Sequence, residues 1–107
     1  MIAIVWEFIV KDEAVAAFQH AYGPEGAWAA LFRQYPGYGG TSLLQDTTVR
    51  GRFLTIDHWE SEWHFDQMHD ASRQEYARLD ARFGALTVSE RRIGVFENIA
   101  NPAPEGT

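Results

Sequence analysis

Two carboxylates stand in segments that otherwise favour apolar residues. Glu7 is the one charge inside the run Ile2–Val10, and Asp57 lies within the alternating segment Arg52–Glu60. A carboxylate desolvated by apolar neighbours has a raised pKa and can take a proton from a phenol. The ordinary alternative is an ion pair, with Arg50, Arg52, Arg91 and Arg92 as the available cations. His69 falls on a helical stripe between Met68 and Ser72, so it is expected to point at the sheet. There it would hydrogen-bond a ligand oxygen or shuttle a proton, or else rest at the core edge on a backbone carbonyl. Aromatic residues are abundant: four Trp, four Tyr and seven Phe. Flat walls of this kind suit polycyclic or quinoid ligands, although most are expected in the core or an interface. Trp6, Trp59, Phe65, Met68 and Tyr76 are the ones expected to bind a substrate. Trp59 is expected to pack in the fold as well, and Trp63 to be partly exposed.

Several chemistries are missing from the residue inventory. The chain has no Cys, which removes disulfides, thiol nucleophiles and thiolate metal sites. The four His are dispersed; His64 and His69 are five apart, not four, so no helical two-His metal site forms and no metal is expected. Gly37-Tyr38-Gly39-Gly40 leads into a strand, not from strand to helix, so it is no phosphate loop. Gly-x-Ser-x-Gly is absent. Nine basic against fifteen acidic residues give a net charge of −6, the wrong field for nucleic acid or for a polybasic membrane anchor. The N-terminus lacks a basic leader and no apolar run approaches the ~20 residues of a membrane span, so a cytoplasmic protein is expected.

The elements that must position these residues follow from periodicity. Ile2–Val10 reads as a strand covered on both faces. Asp12 is expected to cap a helix with Val15, Phe18 and Tyr22 on its stripe. Gly23-Pro24 opens a second short helix carrying Trp28, Leu31, Phe32 and Tyr35. Residues 41–47 and 52–60 form a hairpin of strands, and Ser61 caps a helix running to Gly84. A last strand covers about 88–99. The order βα(α)ββαβ is that of an α+β, ferredoxin-like fold with a four-stranded antiparallel sheet; the first and third strands are expected as neighbours in the middle, running parallel. Residues 1–99 make one domain and 100–107 a flexible tail. Helices cover one face of the sheet only, while the first and third strands are apolar on both parities. A homodimer that packs sheet on sheet would cover the other face.

Tyr35-Pro36-Gly37-Tyr38-Gly39-Gly40-Thr41 resembles the P-G-x-x-G turn of the antibiotic biosynthesis monooxygenase (ABM) family. Arg52–Phe65, with Trp59-Glu60-Ser61, resembles its strand that ends in Trp-x-Ser before a helix. The similarity spans about residues 2–99. It implies a dimeric α/β barrel and a cofactor-independent monooxygenase acting on a phenolic or quinol small molecule. Catalytic roles would then fall to Glu7, Asp57 and His69. The alternatives are a non-catalytic dimeric barrel binding a small hydrophobic ligand, or a non-oxidative isomerase or cyclase. Haem-degrading members of the superfamily carry an Asn on the first strand and a Trp and a His on the long helix. The matching positions here fall at Trp6 or Glu7, near Met68 and near Arg78, so haem degradation is disfavoured and no cofactor is expected.

Overall fold

The computed structural model describes residues 1–103. Strand β1 (Ile2–Val10) leads through a 3-10 turn to helices α1 (Val15–Tyr22) and α2 (Ala27–Phe32). Strands β2 (Tyr38–Gln45) and β3 (Arg52–Trp59) form a hairpin, followed by α3 (Glu62–Ala71), α4 (Arg73–Phe83) and β4 (Thr87–Glu97). The fold is α+β and ferredoxin-like, with one sheet in the order β2-β3-β1-β4. Residues 98–103 carry no regular element, and residues 104–107 of the expected tail lie outside the described residues.

The central strands are β1 and β3, as expected, but they run antiparallel. The two helices after β1 return the chain so that β2 runs parallel to β1 with one strand's gap between them. The tight turn then reverses β3 into that gap, antiparallel to both neighbours. Asp46 builds the turn: its Oδ1 accepts from the Thr48 and Val49 backbone N–H groups at 2.8 and 2.9 Å.

Two helix expectations are corrected. Asp12 makes no side-chain cap; it opens a 3-10 turn with Lys11 before it. The helix after Ser61 is not continuous to Gly84. Ser72 Oγ donates to the Met68 carbonyl at 2.7 Å, and the chain bends there before α4 begins. Ser61 does cap α3, accepting from the His64 backbone N–H.

Ile4, Phe8 and Val10 of β1, with Phe53 and Trp59 of β3, pack against the helices. The opposite parity, including Val5, Ile9, Leu54 and Ile56, is only half-buried. On that same face Leu44 is 45% exposed and Phe96 50%. In the single chain, β1 is therefore covered on one face, not two.

The Pro-Gly turn and the Trp-x-Ser segment, far apart in sequence, meet at Gly37. Its carbonyl accepts from the Glu60 N–H at 2.7 Å. Its φ is +92°, and a Cβ there would lie 2.5 Å from the His64 ring. Gly37→Ala is expected to destabilise the protein by about 1–3 kcal/mol in urea denaturation, through backbone strain and the clash together.

Candidate functional site

Directly paired residues on neighbouring strands share a face. Trp6 pairs with Thr55 and Arg92, and Phe8 with Phe53 and Glu90. Thr41 pairs with Asp57. The helix-side face of the sheet thus gathers Trp6, Thr41, Thr55, Asp57, Glu90 and Arg92. A one-residue bulge at Ile93 sits next to Arg92, where β4 changes register against β1.

Between this face and the helices lie two connected spaces. The inner chamber, about 50 Å³, is walled by Phe8, Tyr22, Trp28 and Phe32, with Thr41, Thr55 and Asp57 on the sheet side. It has room for a few water-sized groups, enough to admit one edge of a ring. The outer cleft, about 510 Å³, runs along Phe65 and His69 of α3 to Arg92. That is within the range of small-molecule sites. Trp6, Tyr76, Asp80 and Glu90 border both spaces and form the passage between them.

Asp57 is the acid that borders the inner chamber and not the outer cleft. Burial pushes its carboxyl up to about 6, opposed by one hydrogen bond: Thr41 Oγ1 donates to Asp57 Oδ1 at 2.7 Å. No arginine pairs with it among the described residues. Burial also pushes Tyr22 and Tyr76 up to about 12, so both phenols are neutral near pH 7. The Trp28 indole N–H lies beside Tyr22 yet makes no hydrogen bond of good geometry among the described residues. Burial raises Asp80 and Glu90 as well; His69 offsets the effect at Asp80, and Asp80 adds to it at Glu90. Arg92 stacks over the Phe65 ring, 5.6 Å from its centre.

Of the expected site residues, the structure brings Asp57, Trp6 and Tyr76 to the inner chamber, and His69, Phe65, Trp6 and Tyr76 to the outer cleft. The His69 ring meets Tyr76 edge-on at 4.6 Å. Trp59 and Met68 are fully buried and line neither space. Trp63 is 63% exposed.

Glu7 lies on the other face of the sheet. Arg52 Nε donates to its Oε2 at 2.8 Å, and Arg91 approaches Oε1 at 3.4 Å. The Arg52 hydrogen bond, above all, holds its carboxyl below the usual range. Both oxygens are occupied and the group stays ionised, so it is the ion-paired alternative of the sequence reading that the geometry displays. Glu7→Gln is expected to leave turnover within about twofold of wild type, since no transition-state contact is lost. It should lower the thermal midpoint, because two arginines lose a partner. Steady-state kinetics and a melting curve on one preparation check both.

Thr41, Asp80 and Glu90 were not singled out from sequence. Asp80 follows Tyr76 by four residues on one helix, and Glu90 and Arg92 alternate on one strand. These spacings are visible, but such charges ordinarily read as solvated. Among the described residues no three His, Asp or Glu side chains converge as metal ligands. No helix there is long and apolar enough to cross a membrane.

Residues 1–77 match the family model for antibiotic biosynthesis monooxygenases. No curated protein matches the chain in sequence. Solved structures share its fold. A variant of SnoaB, a cofactor-independent oxygenase from Streptomyces nogalater, superposes with a TM-score of 0.69 at 18% identity over 94% of each chain. A Bordetella bronchiseptica protein assigned to the same family has a TM-score of 0.74 at 16% identity, over 92% of this chain and 97% of its own. One from Deinococcus radiodurans has 0.72 at 17% identity, over 99% and 100%. With the match covering more than half its length, the chain belongs to the antibiotic biosynthesis monooxygenase family.

Proposed function

We propose that this protein is a cofactor-independent monooxygenase of phenolic or quinol substrates, with Asp57 as the base. The observation that carries the reading is a half-buried carboxylate with no cationic partner among the described residues, set in an aromatic-walled chamber. The substrate lies in the outer cleft and inserts its hydroxyl-bearing edge past Trp6 and Tyr76. Asp57 accepts the phenolic proton. The phenolate then gives one electron to O₂, which the neutral phenol does poorly, and the resulting superoxide and phenoxyl radicals join at a ring carbon. A proton completes the hydroperoxide. Loss of the C–H proton at that carbon expels the outer oxygen as water and leaves a carbonyl. One phenol and one O₂ thus give one quinone and one water, and the substrate supplies all four electrons. His69 orients the distal end of the ligand at the cleft.

The half-buried apolar sheet face supports a homodimer packed sheet against sheet, with Leu54, Ile56 and Phe96 within the contact. Native mass spectrometry should give twice the chain mass, whereas a monomer at micromolar concentration would overturn that assembly. The net charge of −6 supports neither nucleic-acid nor membrane partners, and a cytoplasmic setting fits the Cys-free chain.

The test is conversion of one- to three-ring hydroquinones and phenols under ¹⁸O₂. One labelled oxygen is expected in the quinone and the other in water. Turnover without O₂ would indicate the isomerase or cyclase alternative, and saturable binding without turnover would indicate a ligand-binding barrel.

A further inference from the structure

Asp57 does not face the chamber as a free carboxylate. Its Oδ1 accepts from Thr41 Oγ1 at 2.7 Å, and Thr41 Oγ1 lies 2.6 Å from the Tyr38 hydroxyl. A threonine hydroxyl has one proton, and Thr41 gives it to Asp57; Tyr38 is therefore the donor to Thr41. The chain of bonds is polarised from Tyr38 through Thr41 to Asp57. Among the described residues nothing bonds Oδ2.

This arrangement depends on the backbone at the start of β2. Tyr38 and Thr41 are three residues apart and would face opposite sides of a regular strand. Here Tyr38 pairs with Trp59 and Gly40 with His58, so Gly39 is an extra residue that turns Tyr38 to the side of Thr41. Gly40 holds φ at +108°, a conformation open to glycine, with no atom near the position of a Cβ. The Gly-Tyr-Gly-Gly segment is thus what lets a tyrosine reach the hydroxyl that grips the acid.

We propose that Thr41, held by Tyr38, is a positioning residue of Asp57: it fixes Oδ1 and leaves Oδ2 as the one oxygen that meets a ligand's O–H. The proposal rests on the reading of Asp57 as the base. The groups facing the acid from the surrounding elements are Tyr38 and Thr41 from β2, Thr55 from β3, Tyr22 from α1, Tyr76 and Asp80 from α4, and Glu90 from β4. Neither α2 nor β1 offers a charge there. Burial opposes ionisation of Asp57, and Thr41 is the group that supports it.

The experiment is a ¹³C NMR titration of the Asp57 carboxyl in ligand-free protein, for wild type, Thr41→Val, Thr41→Ser and Tyr38→Phe. A hydrogen bond to the charged form lowers a carboxyl's pKa, so its loss raises it. One bond of ordinary strength corresponds to about 0.5–1 pH unit. Thr41→Val should raise the midpoint by that amount, Thr41→Ser should restore it, and Tyr38→Phe should raise it by less. Unchanged midpoints in Thr41→Val and Tyr38→Phe would overturn the proposal, and Tyr38→Phe decides alone if Thr41→Val does not fold. The pH profile of turnover is read in parallel. If the NMR midpoint moves and the kinetic limb does not, Thr41 positions Asp57 but Asp57 is not the base. If both move together, the two readings stand.

Discussion

Asp57→Asn is expected to give an inactive protein that is more stable than wild type above pH 6. The two effects share one cause. A positioned base contributes about 10²–10⁴ in rate, and an amide cannot accept the phenolic proton, so turnover should fall by that factor. Stability moves the other way. The folded chain raises Asp57 from the ordinary aspartate value to about 6, so it binds that proton more tightly than the unfolded chain does. The stability attached to this group is greatest below about pH 4, falls as pH rises to about 6, and stays low above. A displacement of about two pH units corresponds to about 3 kcal/mol, and the part-exposure of the side chain reduces this toward 2. Asparagine carries no charge to desolvate and can still accept from Thr41. Urea denaturation should therefore show the variant about 2 kcal/mol more stable at pH 7.5 and no more stable at pH 3.5. A variant destabilised at both pH values would assign Asp57 to the scaffold.

Trp59→Ala is expected to cost about 3–5 kcal/mol, the range for truncating a large buried aromatic. Trp59 has no exposed surface. Its ring meets Phe32 at 5.7 Å, Tyr38 at 5.3 Å and Phe65 at 5.9 Å, tying α2, β2 and α3 to the sheet. Its indole N–H has no partner among the described residues. Trp59→Phe removes that unsatisfied donor along with part of the ring volume, so it should cost about half as much or less. Chemical denaturation of the two variants distinguishes core from pocket wall: a wall residue truncated to Ala would lose binding and little stability. A loss under about 1 kcal/mol for Trp59→Ala would place it in the wall.

How much of this was legible from sequence depends on the residue. The order of elements, the hairpin and the Ser61 cap follow from periodicity and cap chemistry, and the structure has them. The half-buried sheet face follows from apolar residues on both parities of β1. That same feature hid the position of Glu7: with Trp6 and Val5 equally apolar, the strand does not say which parity meets the helices. Asp57 was more readable, because it shares parity with Phe53 and Trp59. Met68 faces inward as its place on the helical stripe implies, but periodicity does not separate a core position from a cavity wall, and Met68 is fully buried and lines neither space. Tyr38 and Arg92 sit beside one-residue bulges, and nothing in the spacing of side chains announces an extra residue. Such insertions are decided by pairing with strands distant in sequence.

In the proposed function, Asp57 ionises and takes a phenolic proton so that O₂ can react without a cofactor. The most direct measurement is oxygen uptake by chelator-treated protein with a two-ring hydroquinone, from pH 4.5 to 8.5, with autoxidation subtracted. The enzymatic rate is expected to rise through a single ionisation near pH 6 in wild type and to be lost in Asp57→Asn. A rate that is flat across this range, or the same in the two proteins, would contradict that function.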